Sequence, residues 1–361
     1  MKSIPRDNPK NYKPIGAPVT WFGGKARFAS RITQLFPAHT TFVDVFGGSG
    51  SVLLAKPPAP SVDVYNDLDG ELVNLFQVIR SPSLNAQLMR SLELTLYSRA
   101  EFDLAKSTCL DPVENARRFF VRQRMSHGGF GDHWSFCREN IQVGMPSVVR
   151  RFQVGVERLP AIHQRIKNVQ IEQDDWTRII DRFDAPKTLF YMDPPYVPST
   201  RIGGSYTHEL AIDDHLKMVV RLLSIKGMVV LSGYDHDVYA PLEKSNWMRQ
   251  DFETTAYTSA KAQRTRRIEC LWSNPACVQA RQNSSIAHET DSCDSPINRM
   301  REGAYITHEI RTQSTQAKLT QAIHEIRMSG QKVRVGDVAA RCQISREQVS
   351  RKYKHLFATM M

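Results

Sequence analysis

TTFVDVFGGSGSVLLA, residues 40–55, decides the fold. Its first part is rich in β-branched and aromatic residues, its last part is aliphatic, and three glycines fall within four positions between them. That pattern reads as strand, glycine turn, helix. SVDVYNDLDGELVNLFQVI, residues 61–79, repeats the plan: a short alternating strand ends at Asn66 and Asp67, and an amphipathic helix follows with Leu72, Leu75, Phe76 and Ile79 on one face. KTLFYMDPPY (187–196) reads as a buried strand, DDHLKMVVRLLSIKG (213–227) as an amphipathic helix and MVVLSGYD (228–235) as another strand. Alternating strands and helices predict an α/β fold of the Rossmann-like kind, with a mostly parallel sheet and crossover helices. Ligands in such sheets sit at the carboxyl ends of strands, where the glycine turn, Asp67 and Asp193 all lie.

The composition sets bounds on this reading. The 361 residues suffice for one large domain and a small one, and a hydrophobic content of 41% fits a soluble globular chain. No apolar run reaches membrane-spanning length, and MKSIPRDNPKNYKP at the start lacks the apolar core of a signal peptide. The six cysteines form no C-x-x-C pair, the closest two being Cys270 and Cys277, which argues for a reducing compartment and against structural zinc. HGGFGDH (127–133) is expected to be a polar loop, since no cysteine or acidic cluster with ligand spacing joins it. A net charge of +11 favours a polyanionic partner, most often nucleic acid.

Two further regions carry the charge. Residues 81–185 interrupt the alternation and read as a mainly helical insert. Within it, ARRFFVRQRMSHGGFGDHWSFCRE (116–139) mixes arginines with aromatics. Arg118, Arg122 and Arg124 either read nucleic acid or are solvated charges on a helix, and both readings stay open. Residues 278–316 are polar and weakly periodic, which predicts a linker. Residues 318–357 carry nine Lys/Arg against three Asp/Glu, a net of +6, on a helix, a short second helix and a basic third. Over 317–361 this gives a small all-α domain of helix-turn-helix type, with Arg346, Arg351 and Lys352 as candidate DNA contacts. A protein-docking three-helix module is the alternative.

The Asp-Pro-Pro-Tyr run at 193–196 is chemically distinctive. Proline fixes φ and has no N–H, so the strand stops at Asp193 and leaves free carbonyls beside an acid. Such a site suits an amino group on a planar ring, and Tyr196 adds a flat face. Asp67 follows Gly48 by 19 residues, a spacing that suits an acid gripping a ribose hydroxyl pair; as a helix N-cap it would duplicate what Asp69 can supply. Lys25, in TWFGGKARFASRI (20–32), reads on its own as a surface lysine, with pairing to a ligand carboxylate as the functional alternative.

W-x-G-G-K (21–25), F-x-D-x-F-G-G-S-G (42–50), N-D (66–67) and D-P-P-Y (193–196), in that order, resemble the Dam-like class of N6-adenine DNA methyltransferases. GSYTHEL (204–210), VVLSGYD (229–235) and RTRRIECLWSN (264–274) are similar to later segments of that class, so the resemblance covers roughly residues 18–274. It implies an S-adenosylmethionine-dependent methyltransferase sheet formed by residues 1–80 and 186–277, with 81–185 as the target-recognition insert. It implies S-adenosylmethionine over the turn formed by Asp44, Phe46, Gly47, Gly48, Ser49 and Gly50, with Asp67 on the ribose and Trp21 and Lys25 near the methionine end. It implies double-stranded DNA as partner in a bacterial or phage-infected cytoplasm, no metal, and an adenine flipped into the pocket of Asp193, Pro194, Pro195 and Tyr196. N4-cytosine methylation and a catalytically silent DNA-binding regulator on the same fold are the alternatives.

Overall fold

The computed structural model describes residues 12–200, 206–255 and 266–292 and, of the C-terminal part, 318–323, 325, 326, 328, 329, 333–342, 344, 345 and 347. The elements run α1 (Ala29–Thr33), β1 (Thr41–Asp44), α2 (Ser51–Ala55), β2 (Val62–Asn66), α3 (Gly70–Arg80), α4 (Pro82–Glu93), α5 (Arg99–Leu104) and α6 (Pro112–Met125). A small hairpin follows, β3 (Ile141–Gln142) and β4 (Met145–Pro146), then α7 (Ser147–Glu157), α8 (Leu159–Ile166), β5 (Val169–Glu172), α9 (Trp176–Phe183) and β6 (Thr188–Met192). Then come α10 (Ile212–Leu223), β7 (Met228–Gly233), α11 (Ala240–Lys244), β8 (Met248–Thr255), β9 (Arg266–Ser273) and α12 (Pro275–Ser292).

Among the described residues, seven strands form one sheet in the order β5-β2-β1-β6-β7-β9-β8. β5, β2, β1, β6 and β7 are parallel, and β9 runs antiparallel to both β7 and β8 at one side. The chain builds outward from β1 in one direction as far as β5 and in the other from β6, so the crevice for a ligand opens between the carboxyl ends of β1 and β6.

Both faces of the sheet are covered, which is why β6 and β7 are buried along their whole length and read as continuous apolar runs. Strand periodicity splits the residues between two cores. Phe42, Tyr65, Leu189 and Tyr191 face one core with α3, α6 and α8, while Val43, Val64, Phe190 and Met192 face the other with α9 and α10. The face of α3 expected from the sequence, Leu72, Leu75, Phe76 and Ile79, is the one buried.

Two expected boundaries move. The stretch 81–185 is helical over α4 to α8, but β5 rejoins the sheet by pairing with β2, and α9 contributes Ile179 and Ile180 to the second core. The sheet pattern was illegible there because β5 is a four-residue edge strand in which only Val169 is fully buried. The helices of this stretch have no core of their own: Phe120, Phe152 and Ile162 belong to the cluster that holds Phe42 and Tyr65. Of the linker expected over 278–316, residues 278–292 belong to α12 and the rest lies outside the described residues.

A second unit spans Ile286–Met361. Its described residues include helical positions 318–323 and a helix at Val335–Arg341, whose Leu319, Ile323, Ile326 and Val338 form a separate small core with Ile344 against it. The basic third helix expected here, with Arg346, Arg351 and Lys352, lies outside the described residues.

Candidate active site

Sheet register brings the acids together. Asp44 is the last residue of β1 and lies opposite Tyr65 of β2 and Tyr191 of β6. Asp67 and Asp193 each lie two residues beyond those tyrosines, so three acids emerge side by side from neighbouring carboxyl ends. All three line one cavity of about 260 Å³, together with Trp21, Lys25, Phe46, Gly47, Gly48, Ser49 and Pro195. Gly50, Pro194 and Tyr196 adjoin these lining residues in sequence: Gly50 caps α2 at φ +67°, and Pro194 and Tyr196 are buried.

The turn needs its glycines. Gly48 has φ +48°, and a Cβ there would come within 2.9 Å of the Trp21 ring. A Cβ on Gly47 would strike the Tyr65 ring, whose hydroxyl donates to Gly48 O at 2.7 Å. The indole of Trp21 therefore lies directly on the turn, although 26 residues of chain separate it from Gly47.

Asp69, not Asp67, caps α3, accepting from the backbone N–H groups of Glu71 and Leu72. Asp67 is left facing the cavity, with Oδ2 accepting from Gly48 N at 2.8 Å and Oδ1 from Asp69 N at 2.9 Å. Each oxygen keeps a free lone pair. Burial raises its pKa to about 6 against those two N–H bonds. Asn66 locks the strand ends: its amide donates to Val45 O and Asp174 O, and its oxygen accepts from Asp174 N.

Asp44 is the least compensated group of the site. It is 1% exposed, and no donor completes a hydrogen bond to either carboxylate oxygen. Burial first, then the neighbouring charge of Asp193, push its pKa up to about 8; the Leu53 backbone N–H acts in the opposite sense. A buried acid without a donor, on the wall of a cavity, is stabilised by a cationic ligand.

Asp193 has a strong partner. Lys25 Nζ donates to Asp193 Oδ2 at 2.9 Å and to Gly23 O at 2.9 Å, stands 2.8 Å from Asp193 Oδ1, and lies 3.4 Å from Glu269 of β9. Lys25, buried and on the cavity wall, thus has two protein carboxylates as partners. Asp193 Oδ1 receives no directed hydrogen bond, so it can still accept one. Burial raises Asp193 to about 6, with Lys25 pulling down and Glu269 pushing up. Tyr196 donates its hydroxyl to Glu269, and Lys25 sits 4.7 Å from its ring centroid.

The arginines of α6 are structural ties. Arg118 bonds Glu114 and Ser107, Arg122 bonds Glu71 and Ala105 O, and Arg124 bonds Pro18 O at 2.6 Å. Their alternation with aromatics reflects a helix packed on one side and tethered to neighbours on the other. The 127–133 loop is closed by the His127 N–H donating to His133 O at 2.8 Å, with both imidazoles exposed. Sequence reasoning gave no role to Trp176 or to the 206–210 segment, both on the cavity wall, nor to Glu269, which stands beside Lys25. An isolated acid in the otherwise apolar IECLW run was the signal for Glu269.

Comparison with known proteins agrees with this geometry. Residues 21–265 match the family described as D12 class N6 adenine-specific DNA methyltransferase. A protein named DNA adenine methylase from Serratia marcescens is 22% identical over 266 residues, covering 68% of this chain and 90% of that protein.

Proposed function

The chain belongs to the D12 class of N6 adenine-specific DNA methyltransferases, and from that premise we propose that it methylates the N6 amino group of an adenine flipped out of duplex DNA, with S-adenosylmethionine as donor. One observation carries the reading. Three acids from adjacent strand ends share a cavity, and each meets a different need: Asp44 lacks a countercharge, Asp67 has spare acceptor capacity, and Asp193 is preorganised beside Pro194 and Pro195.

The cavity suits the donor. Asp44 would face its cationic groups, Asp67 its ribose hydroxyls, and Trp21 and Phe46 its apolar surfaces. When bound, S-adenosylmethionine supplies an electrophilic methyl group on a sulfonium.

The remaining chemistry belongs to the chain. An adenine amino nitrogen is a poor nucleophile because its lone pair is delocalised into the ring. Asp193 Oδ1 and the Pro194 carbonyl accept its two hydrogens and favour a tetrahedral nitrogen with a localised lone pair. The N–CH3 bond forms as the S–CH3 bond breaks, and the nitrogen then sheds one proton to water. Two consecutive prolines fix the acceptors beforehand, so little reorganisation is needed during transfer. The surplus positive charge of the chain supplies phosphate affinity.

The test is transfer of labelled methyl from S-adenosylmethionine to duplex DNA, followed by mass spectrometry of the nucleosides. N6-methyladenine is the expected product. N4-methylcytosine would replace the substrate assignment, and no transfer with bound donor would leave a silent DNA-binding protein.

A further inference from the structure

We propose that Glu269 is a positioning residue of the methyl-transfer site, holding Lys25 and the Tyr196 hydroxyl so that Asp193 remains a strong acceptor. The inference rests on the methyltransferase reading above and extends it to a residue on a distant strand.

Register explains how β9 reaches the site. It runs antiparallel to β7, and Cys270 pairs with Gly233, the last residue of β7. Glu269 is the next residue outward, at the rim where the carboxyl ends of the parallel strands open. Its neighbour Ile268 is 49% exposed, but Glu269 itself is 6% exposed. A carboxylate buried in an apolar strand is costly unless paired. Its partners here are the Tyr196 hydroxyl and Lys25, both already tied to Asp193 or its loop.

The arrangement sets one ammonium between two carboxylates. If Lys25 faced Asp193 alone, its charge would fall on that carboxylate and weaken it as an acceptor for the adenine amino hydrogens. Glu269 takes part of that charge. It also pins the Tyr196 hydroxyl, which fixes the end of the Pro-Pro turn that follows Asp193. The other titratable groups facing Asp193 are Asp44 from β1, Tyr191 from β6, and Tyr239 just before α11. They surround it from their own elements and do not contact Glu269 through any described hydrogen bond.

The experiment uses the full-length protein and its Glu269→Gln variant. The Asp193 carboxyl titration is followed by 13C NMR, and the kcat–pH profile is measured on duplex DNA with saturating S-adenosylmethionine. In E269Q the Asp193 midpoint and the acidic limb of kcat should both move to lower pH. The plateau rate should fall by roughly tenfold or more, the scale of losing an acid–base or preorganising contact. Donor affinity should change less than about threefold, since no donor-facing group is altered, and E269D should restore part of the rate. An unmoved Asp193 midpoint, or a rate loss matched by equal loss of donor binding, overturns the proposal. If E269Q fails to fold, Glu269→Asp tests the same network, because the shorter side chain withdraws the carboxylate from Lys25: the Asp193 midpoint should still fall, and an unmoved or raised midpoint overturns the role. An inactive wild-type protein would sink the methyltransferase reading, while the NMR titration still decides whether Glu269 tunes Asp193.

Discussion

Asp193 and Asp44 carry opposite dependences on the donor. Asp193 touches the proposed amine and sits behind Lys25, so Asp193→Ala should lower methyl transfer by on the order of a hundredfold or more while leaving donor affinity nearly intact. Near-normal turnover in that variant would refute the acceptor role. Asp44 behaves differently because its raised pKa, about 8, keeps it protonated near neutrality in the free protein. A cationic donor favours the carboxylate, so binding should release a proton, and affinity should rise with pH up to about 8 and then level off. Calorimetry in buffers of different ionisation enthalpy measures that proton, and Asp44→Asn should abolish it. The same shift works against folding. Between the ordinary Asp range and about pH 8 the native state binds a proton that the unfolded chain does not, so this group's contribution to stability declines as pH rises through that window.

Elements explain which of these residues could be read from the chain. β1 and β6 were legible because parallel strands covered on both faces are largely apolar, and a glycine turn or paired prolines mark where they stop; β2 was legible by its alternation and by the helix that follows it. Asp67 was ambiguous between ribose and helix cap until the cap bonds of Asp69 separated the two roles. The arginines of α6 could not be resolved in the same way. Helical periodicity places them on a face, but only the topology brings Glu71 of α3 and the Pro18 carbonyl to that face. Glu269 was hidden for the same reason, since its strand enters the sheet far from Asp193 in sequence. The cap and the turn also give direct tests. Asp69→Ala should destabilise the protein by about 1 kcal/mol, the usual scale of a lost N-cap, as read by urea unfolding. Gly48→Ala combines a positive φ with a collision against Trp21, so it should weaken S-adenosylmethionine binding well before it unfolds the sheet. Unchanged donor affinity in that variant would remove Trp21 and the turn from the binding site.

At the scale of the whole molecule, two units with separate cores divide the work differently. Every proposed catalytic or donor-binding residue lies in the unit Met1–Ser285. The unit Ile286–Met361 has its own core around Leu319, Ile323 and Val338 and a basic stretch over 318–357. Removing residues 317–361 deletes that core and no residue of the two cores that flank the sheet, so the remainder should fold and transfer methyl groups. Residues 318–357 carry a net charge of +6, so the deletion should weaken DNA binding mainly through phosphate contacts. Each lost contact reduces the slope of log affinity against log salt by about 0.9 for duplex DNA. A shallower slope with an unchanged pattern of methylated sites is the expected outcome of salt titrations and methylation mapping on both proteins. The tail then raises the local concentration of the catalytic unit on DNA and leaves base choice to the unit that holds Asp193. An unchanged slope would make the tail a protein-docking module, and an altered methylation pattern would move base reading from the catalytic unit to the tail.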